Sequence, residues 1–203
     1  MSTLDTLNDP YEMMPDCVTE NGEHLSPRLI QEKFVRPFAE KGGFICLSAA
    51  IDDPVLWAHY AGRHTGMAFE FEFPADFGEL MAVEYGDQRV KVQIEEMATR
   101  RDFQFFKAMY YRLFRTKFTS WAYEKEYRFL VPISDESLKD GLHFKQIPEQ
   151  LFRRVILGCD CHAQETAVRH TLDDAGFRRV GVVRVELSDR DFRMIVPHTH
   201  NPA

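Results

Sequence analysis

The chain has 203 residues and a formal net charge of −7, and 44% of its residues are hydrophobic. This length and apolar content suit one domain spanning residues 1–203, with a packed core to which the 17 phenylalanines contribute. The acidic balance excludes a generic nucleic-acid coat, which needs a basic surface. No run approaches the ~20 apolar residues of a membrane helix, the N-terminus lacks a leader pattern and the four cysteines form no disulfide framework, so we expect a cytoplasmic protein without a membrane partner.

Local signals predict a succession of helices and strands along the chain. Capping residues mark helix starts and alternating apolar residues mark strands. The prediction is a loop at 1–24, a helix from Ser26 to Lys41, a strand at 44–48, a helix from Asp53 to Gly62, strands at 66–73 and 80–85, a long helix at 90–118, strands at 126–132, 143–147 and 153–157, a helix at 163–175, strands at 181–187 and 192–196, and a frayed tail at 198–203. Strands outnumber helices without regular alternation, which predicts an α+β fold: a mixed, largely antiparallel sheet with packed helices.

The most informative stretch reads WAYEKEYRF from position 121 onward. In an extended strand Glu124, Glu126 and Arg128 lie on one face, because residues i, i+2 and i+4 point the same way. Paired carboxylates can divide acid–base and charge-stabilising roles, as glycosidic-bond chemistry requires. The residues alone favour the alternative, a surface ladder in which Arg128 pairs with Glu70 or Glu72 of a neighbouring strand.

A second candidate is the short helix that begins at Asp53-Pro54. It carries Trp57, His59 and Tyr60 within four residues, and an imidazole can exchange a proton or donate a hydrogen bond near neutral pH. These side chains either line a pocket or form an amphipathic helix whose apolar residues are core.

Cysteine and histidine residues cluster late in the chain, at Cys159, Cys161, His162 and His170. Thiolates and imidazoles are zinc ligands. The C-x-C spacing differs from the usual C-x₂-C knuckle, so the pattern favours a strand end followed by a turn, and we expect no metal.

Three arginines, Arg101, Arg112 and Arg115, fall on one face of the predicted long helix. Interleaved with aromatic residues, they are candidates for holding the phosphates of a nucleic acid or a dinucleotide. The alternative is a solvated face whose arginines pair with Glu95 or Glu96.

Several of these motifs, in this order, resemble those of a large bacterial family of unknown function. They are Asn8-Asp-Pro-Tyr-Glu12, Cys46-Leu-Ser48, Trp57-Ala-His59-Tyr60, His64-Thr-Gly66, Trp121-x-x-Glu124-x-Glu126-Tyr-Arg128 and Val155-Ile-Leu-Gly158. The resemblance covers roughly residues 7–160. It implies a solitary cytoplasmic protein, tied in some members to phage defence or toxin systems.

The motif order is also distantly similar to that of the ADP-ribosyltransferase superfamily, whose fold is a split mixed sheet. That resemblance implies NAD as the substrate and a protein or nucleic acid as the acceptor. It implies that Glu126 is the catalytic carboxylate, that Glu124 orients the acceptor and that Ser48 is the middle-strand hydroxyl. Glu126 would hold a ribose hydroxyl and stabilise the positive charge that builds as nicotinamide leaves.

The predicted polar site also includes four substrate-binding side chains, namely Trp57, His59, Tyr60 and Arg128. The superfamily's first-strand Arg or His has no counterpart among the seven residues before Asn8. The alternative function is therefore a non-catalytic module that binds a nucleotide or a protein. A third possibility is an RNA-cleaving toxin that acts through His59 and Glu126.

Overall fold

A computed structural model describes residues 1–75, 77, 80–100, 102–134, 138–139 and 142–197. The helical elements are a 3₁₀ turn at Leu4–Thr6, α1 (Pro27–Ile30), a π-helical segment at Gln31–Val35, α2 (Arg36–Ala39), α3 (Pro54–Tyr60), α4 (Ile94–Thr99), α5 (Phe103–Arg115), 3₁₀ segments at Thr119–Glu124 and Glu149–Leu151, and α6 (Glu165–Asp174). The strands are β1 (Asp16–Val18), β2 (Gly42–Ser48), β3 (Met67–Phe71), β4 (Met81–Ala82), β5 (Glu84–Gly86), β6 (Lys91–Gln93), β7 (Thr116–Phe118), β8 (Glu126–Pro132), β9 (Leu138–Lys139), β10 (Leu142–His143), β11 (Phe152–Leu157), β12 (Gly181–Arg184), β13 (Glu186–Leu187) and β14 (Met194–Ile195).

The fold is α+β, as predicted. Among the strand pairs of the described residues, five are antiparallel and three are parallel. The chain forms two compact units: unit 1 comprises Met1–Ser48 and Gly78–Lys145, and unit 2 comprises Ala49–Phe77 and Gln146–Ala203. That residues 1–203 are one domain stays a prediction. The tail predicted at 198–203 lies outside the described residues.

Unit 1 contains the three-stranded antiparallel sheet β2-β8-β4 and two parallel strand pairs, β1-β6 and β5-β7. Its core lies between these strands and α5, where Phe44, Leu113 and Phe114 are almost fully buried. Strand β8 is the central strand: Ser48 of β2 lies opposite Glu126, and Cys46 lies opposite Arg128. Arg128 donates a hydrogen bond to the carbonyl of Phe114, so this part of β8 contacts the C-terminal end of α5.

The first helix of unit 1 is confirmed, with one irregularity. Ser26 caps its N-terminus by accepting a hydrogen bond from Leu29 N, and the helical run extends from Pro27 to Ala39. A π-helical segment interrupts it, and such segments occur often at functional sites. Strand β2 begins at Gly42, two residues before the start predicted for it at 44.

The single helix predicted at 90–118 is wrong. Residues 91–93 form β6, α4 ends at Thr99, α5 starts after the Asp102 N-cap, and 116–118 form β7. The Asp102 carboxylate accepts from Gln104 N, which starts a new helix instead of continuing the old one. At the other end Thr116, a β-branched residue, leaves the helix and pairs with Glu84.

The strand predicted at 80–85 is also corrected. It divides into β4, which pairs with β8, and β5, which pairs with β7. Neither pairs with β3, whose partner is β11 in unit 2.

Unit 2 is organised around the sheet β12-β11-β3, with α3 and α6 as its helices. Asp53 caps α3 as predicted, accepting hydrogen bonds from Val55 N and Leu56 N. Two buried clusters use opposite sides of β11: Ile156 packs with Trp57, whereas Val155 packs with α6 residues such as Leu172. The strand predicted at 181–187 divides into β12 and β13, which belong to different sheets.

A close backbone approach after β11 requires glycine. Gly158 N donates to Gly66 O at 2.9 Å, and a Cβ at position 158 would lie 2.0 Å from the carbonyl oxygen of His64. His64 itself has a left-handed backbone, with φ of 69°. The turn after α3 and the end of β11 therefore contact each other through backbone atoms.

We expect Gly158→Ala to lower the free energy of unfolding by about 1–3 kcal/mol or more, because the backbone must shift to admit the methyl group. Urea denaturation followed by circular dichroism measures this. The matched control is Gly86→Ala, where an added Cβ would meet no atom within 4 Å. Equal losses in the two variants would show that the close approach is not the cause.

Candidate functional site

Five charged side chains of unit 1 lie together in its interior. Glu12, Lys117, Glu124, Glu126 and Arg128 each expose at most 6% of their surface. We call these five residues the charge cluster. Charged side chains are almost never buried unless they are paired. The polar face predicted on β8 is therefore an interior face, not a wetted one.

Glu124 and Glu126 reach the cluster by a different route from the one predicted. Glu126 is the first residue of β8, but Glu124 is the last residue of the preceding 3₁₀ segment. Between them Lys125 adopts a left-handed backbone, with φ of 44°. A non-glycine residue in this region is uncommon and stores strain. The turn at Lys125 brings both carboxylates to one point.

That point is the ammonium group of Lys117 on β7. Its Nζ lies 2.6 Å from Glu124 Oε2, 3.0 Å from Glu126 Oε2 and 3.3 Å from Glu12 Oε1. The Trp121 ring lies on another side, with its centroid 4.9 Å from Nζ. Burial by itself would lower the pKa of Lys117, but the three carboxylates outweigh it and raise that pKa. Lys117 therefore remains a cation.

Arg128 closes the cluster from the other side. Its Nε and Nη2 donate to the two oxygens of Glu126 at 2.7 and 2.9 Å, a bidentate fork. Nη2 also lies 2.5 Å from Glu12 Oε2, and Nη1 donates to the Phe114 carbonyl at 2.9 Å. The predicted alternative, a ladder of Arg128 with Glu70 or Glu72, is wrong. Those two glutamates pair with Arg154 and Arg153 of unit 2.

The cluster holds three carboxylates and two cations, and the pKa values of two of the carboxylates, Glu126 and Glu12, shift in opposite directions. For Glu126, burial raises the pKa, but the hydrogen bonds and charge of Arg128 and the charge of Lys117 lower it to about 2. For Glu12, burial is the largest influence and the pKa is raised in spite of Arg128 and Lys117. Glu126 is therefore ionised at neutral pH, and Glu12 is the more easily protonated of these two carboxylates.

Glu12 was absent from the predicted site residues, although it ends the Asn-Asp-Pro-Tyr-Glu motif. Its loop is built by local bonds: the Asp9 carboxylate accepts from Tyr11 N at 2.9 Å, and Met13 has a positive φ of 58°. The buried Gln31, in the π-helical segment, donates from Nε2 to the Glu12 carbonyl at 3.0 Å. The π-helical segment thus holds the loop that carries Glu12.

A pocket of about 230 Å³ opens beside the charge cluster in unit 1. Its wall comes from the segments 9–14, 86–90 and 113–118, and it includes Glu12 and Lys117. Tyr11 and Phe118 contribute exposed aromatic surface, with 63% and 48% of each residue exposed. The Arg89 guanidinium lies 6.0 Å from the centroid of the Tyr11 ring. We call this space the Tyr11 pocket.

Ser48, the third residue predicted to be catalytic, lies next to the cluster at the end of β2. Its hydroxyl donates to the Glu124 carbonyl at 2.5 Å. Two residues earlier Cys46 is exposed as a residue, but its thiol adjoins Glu126. Local desolvation and the charge of Glu126 raise the pKa of that thiol. Ser48, Glu124 and Glu126 are thus brought together by one hydrogen-bonded assembly.

The predicted residues Trp57, His59 and Tyr60 lie in unit 2, on α3. Trp57 is buried, and its indole Nε1 donates to the Ile51 carbonyl at 2.7 Å, so it belongs to the core of that unit. His59 and Tyr60 are exposed, with ring centroids 6.3 Å apart. A joint site of these residues with Glu126 stays a prediction.

Two further candidates from the sequence are the arginine face of the predicted long helix and the cluster of cysteines and histidines. Arg101 lies outside the described residues, and Arg115 pairs with Glu84 at 2.5 Å instead of with α4. Cys159 and Cys161 pack against different hydrophobic clusters of unit 2. Within the described ranges, no group of three His, Cys, Asp or Glu side chains is arranged to hold a metal ion.

No family model, no curated protein and no solved structure matches the chain. In the part of the chain that the structure describes, no helix has both the length and the apolar character needed to cross a membrane.

We expect Glu126→Gln to lower the free energy of unfolding at neutral pH by about 3–5 kcal/mol, because it leaves Arg128 and Lys117 undercompensated. The folded pKa of about 2 lies below the ordinary value of 4.5. The contribution of Glu126 is therefore complete above pH 4.5 and is lost as the pH falls through 2. Urea denaturation at a series of pH values from 7 to 2 measures this. The difference in the free energy of unfolding between the wild type and Glu126→Gln should become smaller as the pH falls.

Glu12→Gln is the matched control for that experiment. It removes the carboxylate whose pKa is higher in the folded state than in the unfolded state. The contribution of Glu12 to the stability of the folded state therefore falls as the pH rises from 4.5 through this raised pKa. Glu12→Gln should cost less than Glu126→Gln at neutral pH. Equal costs for the two variants, or a gap that does not change with pH, would contradict the division of roles within the cluster.

Proposed function

We propose that unit 1 binds a nucleoside-type ligand, a flat ring joined to a hydroxyl-bearing sugar, in the Tyr11 pocket. The observation that carries this proposal is that Glu12 and Lys117 belong both to the pocket wall and to the charge cluster. The side chains of Glu12 and Lys117 are thereby held by buried ion pairs before a ligand binds. Preorganised polar groups in a mostly apolar concavity are typical of small-molecule sites.

The rest of the wall supports the choice of ligand. Tyr11 and Phe118 offer aromatic faces, and Met13 and Met14 offer adaptable apolar surface. Aromatic side chains stack on flat rings at about 1–3 kcal/mol per ring. A flat ring would therefore find both a face and an apolar floor here.

The charged residues of the wall favour a sugar and a cationic ring. Asp9, Glu12 and Asp87 carry carboxylates, against the cations of Arg89 and Lys117. Carboxylates accept hydrogen bonds from sugar hydroxyls, and the negative excess favours a positively charged ring. The nicotinamide riboside part of NAD combines these features, which agrees with the substrate implied by the resemblance.

A second candidate is an ADP-ribosyltransferase-type enzyme that uses NAD. It is favoured by the convergence of Glu124 and Glu126 on one ammonium group, with the Ser48 hydroxyl bonded to the same segment. In this function Glu126 would have to exchange part of its bonding with Arg128 for a ribose hydroxyl. A role in phage defence or in a toxin system, implied by the resemblance, is compatible with either candidate.

Isothermal titration calorimetry with nicotinamide riboside and with adenosine tests the binding proposal. We expect at least one to bind, and we expect Tyr11→Ala to weaken that binding by about 1–3 kcal/mol because a stacking face is lost. The matched control is Phe103→Ala, which removes an aromatic residue of similar exposure that does not line the pocket. If neither nucleoside binds, or if both variants weaken binding equally, the proposal is wrong.

Release of nicotinamide from NAD tests the enzyme candidate. We expect release by the wild type and a rate about 100-fold lower in Glu126→Gln, because the group that stabilises the developing charge is neutralised. Ser48→Ala, at the surface, serves as a second variant if Glu126→Gln fails to fold. Glu72→Gln, an exposed carboxylate of unit 2, is the control. A wild-type rate equal to the buffer background would remove this candidate and leave the binding proposal intact.

A further inference from the structure

A second, more polar pocket of about 330 Å³ adjoins the Tyr11 pocket in unit 1. It is lined by Asp16, His24, Asp87, Gln88, Arg89 and Lys91. We call it the His24 pocket. Residues 87–89 line both pockets, so one short segment forms their common wall. A ligand seated in the first pocket therefore has the second directly beside it.

The parallel pair β1-β6 builds the His24 pocket. Val90 and Val92 are buried, so the alternation of an extended chain turns Arg89 and Lys91 outward. The register places Asp16 of β1 beside Lys91 of β6. Strand β6 thus buries Val92 in the core and turns Lys91 outward, and Arg89 lies two residues before Lys91 in the same segment.

One of the two carboxylates that line this pocket, Asp16, has a partner within the pocket wall, and the other is Asp87. Asp16 Oδ1, at the start of β1, forms a 2.7 Å hydrogen bond with Nδ1 of His24, which follows that strand in the chain. Arg89 and Lys91 line the same pocket and bring a guanidinium group and an ammonium group to it. An Arg fork and a Lys ammonium side by side are the usual protein donors for a phosphate group.

Arg89 links the two pockets. Its guanidinium lies near the Tyr11 ring and also lines the His24 pocket. A nucleotide has the same arrangement, with a ring at one end and a phosphate at the other end of a sugar. Taken alone, 230 Å³ is below the 300–1,000 Å³ common for ligand sites, whereas the two pockets together fall inside that range.

We propose that the His24 pocket binds the 5′-phosphate of the ligand whose nucleoside part occupies the Tyr11 pocket, so that the ligand class is a nucleotide. This inference rests on the proposed nucleoside binding. Arg89 and Lys91 donate to the phosphate oxygens. His24 holds Asp16 away from the phosphate, which reduces the repulsion between the two anions.

Calorimetry with two matched pairs of probes tests this inference. The pairs are nicotinamide riboside with nicotinamide mononucleotide, and adenosine with adenosine monophosphate, each differing by one phosphate. At low ionic strength we expect the phosphorylated member of the pair that binds to bind at least tenfold more tightly, and we expect this advantage to shrink as salt is added. Lys91→Gln should reduce the advantage to less than threefold without changing the affinity for the nucleoside, because Lys91 lines only the His24 pocket.

Lys33→Gln is the matched control, an exposed lysine of unit 1 that lines neither pocket, and it should leave the advantage unchanged. If nucleoside and nucleotide bind equally, the phosphate site is wrong while nucleoside binding stands. If the advantage survives in Lys91→Gln, the phosphate binds elsewhere and the inference is also overturned. If no probe binds, both the inference and the proposed function fail.

Discussion

The interaction on which unit 1 depends is the mutual neutralisation of its buried charges. Taking Arg128 or Lys117 out of water costs several kcal/mol per ion, and only close carboxylates with good hydrogen bonds offset that cost. The bidentate fork from Arg128 to Glu126 meets this requirement. It also ties α5 to the central strand through the Phe114 carbonyl. The cluster therefore restricts the backbone more tightly than an apolar core would, because hydrogen bonds have directions.

This restriction explains why a long N-terminal segment is held in place despite its loop character. Glu12 must reach both Lys117 and Arg128, at 3.3 and 2.5 Å. The Asp9 turn, the left-handed Met13 and the bond from Gln31 all act on the backbone around it. These three features thus hold the loop in the position from which the Glu12 carboxylate contacts Lys117 and Arg128. The Tyr11 pocket lies where this loop meets β7, so its shape follows from the same contact.

The sequence was sufficient for the parts of this arrangement that depend on local periodicity. The strand with Glu126 and Arg128 on one face follows from alternation, and the N-cap of α3 follows from Asp53-Pro54. The position of Glu124 was not predictable, because a left-handed Lys125 has no residue signal comparable to a glycine. The partners of Arg128 were also not predictable, since Glu12 is more than a hundred residues away in the chain. Charge alternation indicates a polar face but not whether that face is wet or buried.

Because the charged face of β8 is buried, Glu126 and Glu12 are suited to different roles in ligand binding and in catalysis. A carboxylate with a pKa of about 2, already held by an arginine fork, is a weak base and an occupied acceptor. Glu126 is therefore better suited to stabilising positive charge by its own negative charge than to accepting a proton. Glu12, with its raised pKa and its place in the pocket wall, is the carboxylate that a ligand would influence most. A positively charged ring beside Glu12 would lower that pKa and strengthen its pairing with Lys117. Ligand binding and the stability of unit 1 would then be linked through a single protonation equilibrium.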